Sequence, residues 1–334
     1  MGKILITGGA GYIGSHIVHR LSELGREVVV LDDLSNGHRQ AVSGVPLVVG
    51  DFGDATLLAR ELTSNPIDFI VHMAAFCEVG ESVIDPAAYY ANNVSRSLTL
   101  LEQARLHGVC GMVFSSTAAT YGEPETLPIT EEHPQRPTNP YGESKLAFER
   151  ALAAYHRAYG FRYVALRYFN AAGAHPVATI GEDHSPESHL IPRLLQAVRA
   201  EEPVPIFGDD YPTEDGTCVR DYIHVVDLAE AHHLALERMR SSDIGEAFNL
   251  GNGQGFSVKQ VVDVVGRVTG IRPRTVVGPR RPGDPARLVA SSERIASALG
   301  WKPSMPALEQ IVESAWRWHR DHPHGYGEPG GSTG

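Results

Sequence analysis

Tyr141 and Lys145 stand four residues apart in "NPYGESKLAFE", directly behind Pro140. Proline suits the first position of a helix, and an i, i+4 pair then lies on one helix face. A phenol has a reference pKa of about 10, too high for a base near neutrality, and neighbouring positive charge favours its phenolate. Lysine is scarce in the chain and no other Tyr-x-x-x-Lys occurs. The pair therefore reads as a device for taking a proton from a hydroxyl. A third participant lies in "FSSTAATYG", where Ser115, Ser116 or Thr117 ends an apolar run and can hydrogen-bond the reacting oxygen.

Oxidising a carbinol also needs a hydride acceptor, and the N-terminal segment supplies a place for one. "TGGAGYIGS" sets Gly8, Gly11 and Gly14 between a strand and a helix. Such glycines allow a tight turn and close backbone approach to a pyrophosphate, which the helix N-terminus then stabilises. Asp32, 18 residues past Gly14 at the end of "VVVLDD", can take ribose hydroxyls and would repel a 2′-phosphate. The expected cofactor is NAD rather than NADP. Asp51 in "VVGDF" follows another strand and is positioned to reach the adenine, and Ala74 and Ala75 in "HMAAF" leave room where bulk would meet the cofactor. The nicotinamide ring, positive when oxidised, adds to the charge favouring a Tyr141 phenolate, and Lys145 can hold its ribose.

These residues must be held by a regular frame. Short apolar runs at 3–7, 27–31, 46–49, 68–73, 112–115 and 163–167 alternate with helical windows at 12–24, 55–63, 86–107 and 140–159. That alternation predicts an α/β fold, a doubly wound parallel sheet of Rossmann type. The dinucleotide domain is expected over 1–175 with a return segment near 217–245. A smaller, discontinuous mixed α/β lobe is expected over 176–323, with a helix at 191–200, and a disordered tail over 324–334.

Composition narrows the function classes. A formal charge of −11 with no Lys/Arg cluster disfavours nucleic acid, so an anionic ligand must be held by a few placed groups. No stretch approaches a membrane span, and no signal peptide is expected, because the apolar start runs into functional glycines. Three scattered cysteines without a CxxC fit a reducing cytoplasm. His232 and His233 are adjacent, point different ways on a helix and cannot share an ion, so no metal is expected.

With "LRYFNAAGAHP" added, the glycine, "FSSTAATYG" and "NPYGESK" motifs resemble the extended short-chain dehydrogenase/reductases. "VGES", "YYANNV", "GDDYPTEDGT", "VRDYIHVVDLA", "FNLGNG" and "RRPGD" narrow the resemblance to the UDP-glucose 4-epimerase family, over roughly residues 3–323. The resemblance implies an isomerase: NAD stays bound, the C4 hydroxyl is oxidised, the 4-keto sugar turns, and hydride returns to its other face. It implies Tyr141 as base, Lys145 as its partner and Thr117 in the Ser/Thr position. NAD contacts are implied at Gly8, Gly11, Tyr12, Ile13, Gly14, Asp32, Asn36, Asp51, Phe52, Ala74, Ala75, Asn93, Lys145 and Phe169. The UDP-sugar is implied to meet Thr117, Tyr141, Asn170, His189, Leu190, Phe207, Arg220, Arg281, Asp284 and Leu288, and two arginines suit a diphosphate. A homodimer is implied through the 86–107 and 140–159 helices.

Three positions depart from the family pattern. Cys77 replaces a lysine near the cofactor phosphates, which predicts weaker NAD retention. His189 replaces a substrate-contacting asparagine. Leu288, of intermediate size where family members control room for a 2-acetamido group, suggests tolerance of N-acetylated sugars. A 4,6-dehydratase would need an acid–base pair after the catalytic hydroxyl, and Ala118 and Ala119 cannot transfer protons. A silent NAD-binding regulator would usually have lost Tyr141 or Lys145.

Overall fold

The computed structural model describes residues 2–177, 179–281 and 284–327. Its frame is a seven-stranded parallel sheet drawn from β1 (Lys3–Thr7), β2 (Val28–Asp32), β3 (Leu47–Val49), β4 (Ile67–His72), β5 (Gly111–Thr117), β6 (Arg162–Tyr168) and, after β7 (Asn170–Ala172), β8 (Val204–Phe207) and β9 (Val219–His224), β10 (Gly245–Leu250). The order β10-β6-β5-β4-β1-β2-β3 reverses between β1 and β4, so the crevice at the strands' carboxyl ends opens there. The sheet-flanking helices are α1 (Tyr12–Glu23), α2 (Ala55–Ser64), α3 (Val79–Ile84), α4 (Pro86–Tyr90), α5 (Ser97–Leu106) and α6 (Pro140–Tyr159) and, after α7 (Leu190–Ala200), α8 (Val225–Ser241).

Strand alternation divides the core. Ile4 and Ile6 point to one face with Ile17 and Leu21 of α1 and Leu228 and Leu236 of α8. Leu5, between them, points to the other with Leu58 of α2, Leu101 of α5 and Phe148 of α6. Both faces being covered, the central stretches of the strands are mainly apolar, as in a parallel sheet.

Over the crevice lies a lobe in which β9 pairs with β7, β11 (Gly255–Ser257) and, through Leu288, β13 (Arg287–Leu288), while β12 (Thr275–Gly278) pairs with β8. The lobe's core joins Ile191 and Leu195 of α7 to Val261 and Val265 of α9 (Val258–Thr269) and Ile311 and Val312 of α11 (Leu308–Asp321).

The structure departs from the sequence reading in four places. The return segment does not stop near 245, because β10 runs to Leu250 as the sheet's edge strand, and Ile295 of α10 (Glu293–Leu299) and Trp301 return to its core. The window 86–107 is not one helix: a π-helical stretch, Ala91–Arg96, separates α4 from α5. Thr117, not Ser115, is the last residue of β5. The tail is structured at 324–327, where Tyr326 stacks on His38 with ring centroids 4.8 Å apart; its remainder, 328–334, lies outside the described residues. Among the described residues no helix is long and apolar enough to cross a membrane.

Candidate active site

The glycine loop is backbone bent into a cradle. Gly8 adopts φ +69°, and a Cβ on Gly14 would press on the Gly8 carbonyl and come within 2.8 Å of Gly9 Cα. Gly11 caps α1 with no side-chain hydrogen bond, so the first N–H groups of the helix stay available to an anion. The buried Asp32 carboxylate accepts the Ala10 and Leu34 N–H groups, each at 2.9 Å, tying the end of β2 to the loop. Each oxygen retains a lone pair for a ribose hydroxyl. Burial raises the carboxyl above its ordinary value despite those bonds. A dinucleotide fits this geometry.

Other expected cofactor contacts are occupied in ways the sequence did not reveal. The Tyr12 hydroxyl donates to the Gly173 carbonyl at 2.6 Å, fastening α1 to the segment after β7. Asn93 sits buried in the π-helical stretch. Its amide bonds both backbone groups of Phe76 at 2.9 Å and reaches Ser144 Oγ at 3.1 Å. It thereby fixes the loop carrying Ala74, Ala75 and Cys77 against α6, a use of π-geometry often found beside functional sites. Asp51 faces Arg96 at 3.3 Å, Phe52 packs against the His72 ring, and Asn36 is exposed. Ile13 and Phe169 are half-buried beside the loop and after β6.

The acid–base group assembles where β5 meets α6. Asn139 caps α6 by accepting the Gly142 N–H at 2.9 Å, which starts the helix at Pro140 and presents Tyr141 and Lys145 to the end of β5. The three candidate hydroxyls now separate. Ser115 Oγ bonds the Tyr168 hydroxyl, Ser116 Oγ donates to Glu149, and Thr117 faces the Tyr141 phenol and favours its charged form. Lys145 Nζ donates to the Ser115 carbonyl at 2.9 Å and lies 6.0 Å from the Tyr141 ring centroid.

Burial dominates the electrostatics of the pair. Burial, then Cys77 and Tyr168, push the Tyr141 phenol well above its ordinary value, with Thr117 pulling the other way. Lys145 does not offset this: burial lowers its own ammonium to about 8, against the pull of Cys77 and Glu149. Cys77 is exposed, yet desolvation by the protein around it, helped by Glu78, raises its thiol to about 11.

Sequence reasoning missed the support under this pair. Glu149 is 7% exposed and holds Arg167 at 2.6 Å, and Arg167 donates to the Tyr121 hydroxyl at 2.8 Å. Glu149 is one more i+4 step along the face of Tyr141 and Lys145, so the signal was present. His72, bridging Thr7 at 2.7 Å and Ser97 at 2.9 Å, was also missed, and no spacing announces it.

On the lobe side, Arg220 pairs with Asp284 and donates to the Val219 carbonyl at 2.8 Å, while the exposed Arg281 stacks 4.1 Å over the Phe207 ring. Leu288 is registered against Arg220, and Asn170 against Tyr222. His189 immediately precedes α7, whose first residue is Leu190, and its Nδ1 lies 2.6 Å from Glu182. Burial opposes charge on His189, but the Glu182 carboxylate wins and raises it to about 9. Burial likewise opposes ionisation of Glu182, and hydrogen bonds from His184 and His189 hold its carboxyl low.

Residues 4–251 match the model of the NAD dependent epimerase/dehydratase family. The chain belongs to that family. It is 57% identical to a UDP-glucose 4-epimerase of Halalkalibacterium halodurans, over 97% of each chain. Its fold is similar to the crystal structure of UDP-glucose 4-epimerase from Brucella ovis in complex with NAD, at TM-score 0.92, 45% identity, and 95% and 98% coverage of the two chains. It is similar too to the Bifidobacterium longum enzyme in complex with NAD+ and UDP, at TM-score 0.92 and 38% identity, covering 97% of this chain and all of that one. The family description spans epimerases and dehydratases; the full-length relatives carry the narrower likeness.

Proposed function

We propose that the chain interconverts UDP-galactose and UDP-glucose by inversion at C4 through a transient 4-keto sugar. The observation that carries this reading is the meeting of Tyr141 and Thr117 at the carboxyl end of β5, on a chain with full-length 4-epimerase relatives. NAD, when bound along Gly8–Gly14 and Asp32, supplies the hydride acceptor and donor. Tyr141 takes the C4 hydroxyl proton and returns it, and Thr117 orients the same oxygen. Lys145, anchored on the Ser115 carbonyl, keeps a cation beside the pair. The buried surroundings exclude water that would otherwise compete for the proton.

Arg220 and Arg281 are the proposed diphosphate holders, with Asn170, Leu190, Phe207 and Asp284 shaping the sugar-nucleotide site. Leu288, half-buried beside Arg220, supports tolerance of N-acetylated hexosamines. A dehydratase is disfavoured by Ala118 and Ala119, which follow Thr117 in a short 3-10 turn and have no side-chain group to transfer a proton. We infer a cytoplasmic homodimer. Exposed Tyr90, Leu98 and Tyr159 on the α4–α6 side support the contact, and sedimentation as a monomer at micromolar concentration would count against it.

The test is proton NMR of the purified protein with UDP-galactose and no added cofactor. UDP-glucose signals are expected. Turnover that begins only with added NAD keeps the chemistry and shows weak retention, as Cys77 suggests. No turnover in either case overturns the substrate.

A further inference from the structure

Between β7 and α7 the chain reads "GEDHSPESHL", and Glu182, His184, Glu187 and His189 fold back on one another. One oxygen or nitrogen from each lies within 4.8 Å of all the others. The sequence predicts no metal, because its histidines are scattered and the adjacent His232 and His233 cannot share an ion. The spacing Glu-x-His-x-x-Glu-x-His is different, because the loop turns all four side chains inward.

We propose that these four side chains form a binding site for a single divalent cation of the zinc class. Two imidazoles and two carboxylates are a donor set that suits a borderline metal. Ligand bonds of about 2.0–2.2 Å in a tetrahedron place donors about 3.3–3.6 Å apart. His184 Nδ1 is 3.4 Å from Glu182 Oε1 and 3.8 Å from Glu187 Oε2, and His189 Nδ1 is 3.6 Å from the other Glu187 oxygen, Oε1. An independent observation points to a ligand here. Glu187 Oε2 is buried without a hydrogen-bond partner, on a side chain only 4% exposed, and a buried carboxylate oxygen without a donor is costly.

The 2.6 Å approach of His189 Nδ1 to Glu182 Oε1 marks a proton held where the ion would sit. Binding must therefore expel that proton and open this pair by about 0.7–1.0 Å. His184 Nδ1 must likewise be unprotonated. Two carboxylates neutralise the ion, and the protons leave to solvent. The ion would staple the 182–189 loop to the start of α7 and leave only Nε2 of His189 for a ligand in the cleft.

The experiment uses the full chain, stripped with chelator and titrated with zinc chloride by calorimetry in buffers of different ionisation enthalpy. One zinc per chain is expected, with proton release. His184→Ala and Glu187→Gln should each weaken binding about tenfold or more. His19→Ala, which alters the other His/Glu cluster (His19, Glu23 and His175), should not. Absence of saturable 1:1 binding below about 100 µM, unchanged binding in both loop variants, or loss in His19→Ala overturns the proposal. Should the loop variants misfold, anomalous scattering from a zinc-soaked crystal decides: density among the four side chains supports the site, and density only elsewhere refutes it. Neither readout depends on turnover, so this site can fail while the epimerase reading stands.

Discussion

On the β1–β2 side of the crevice the site is made of backbone, whereas on the lobe side it is made of long side chains drawn from distant segments. The glycine loop needs a few neighbouring residues and one helix N-terminus, held by Asp32 through two N–H groups. The lobe wall needs Arg220 from β9, Asp284 from 64 positions further on, and Arg281 over Phe207. Backbone sites are rigid and specified locally. Side-chain sites depend on partners, and a changed partner alters affinity more readily than geometry. The first wall should therefore govern cofactor retention and the second substrate binding, with the chemistry held between them at the end of β5 and the start of α6.

The largest effect that tests this contrast is at the reacting group. Tyr141→Phe should lower the rate constant by at least about 10³-fold, roughly 4 kcal/mol of transition-state stabilisation, with NAD content and melting temperature unchanged; a nearly unaltered rate in the UDP-galactose assay would remove the assigned base. Next, Gly14→Ala forces a methyl against the Gly8 and Gly9 backbone, which cannot yield as a side chain would. It should cost about 1–3 kcal/mol and strip copurified NAD, read by thermal melting and by absorbance of the released nucleotide. Arg281→Ala should raise KM about tenfold with kcat within about threefold. An equal loss in kcat would show the lobe wall acting in the chemical step and would blur the contrast.

The smallest effect is a pH slope. Burial first, and Lys145 second, lower His72 to about 3, so the folded protein holds it neutral while the unfolded chain protonates it near 6.5. The unfolded state then binds more protons between these values, and stability falls as pH drops below about 6.5. The loss is at most about 1.4 kcal/mol per pH unit for this residue. His72→Asn should have lower stability at pH 7 and a shallower acid slope in melting temperature. A slope unchanged from that of the parent would assign the acid sensitivity to other groups, such as buried His16 and His232.

Much of this molecule follows from local pattern. The strand–glycine–helix start, the strand and helix alternation, Asp32 and the Tyr141/Lys145 face all rest on short-range rules: pleat alternation, helix periodicity, proline and glycine at helix ends. Long-range packing decided the rest. It separated Thr117 from Ser115 and Ser116, because only the neighbours brought by β6 and α6 distinguish three adjacent hydroxyls. It gave Lys145 to the Ser115 carbonyl and buried the Tyr141 phenol, since burial cannot be read from spacing. It also opened a π-turn at Ala91–Arg96 to clamp the Phe76 loop, and folded 182–189 into a cluster of four donors. Residues close in sequence obey geometry that the chain carries with it; residues distant in sequence acquire their partners, charges and solvent only when the sheet and lobe close over them.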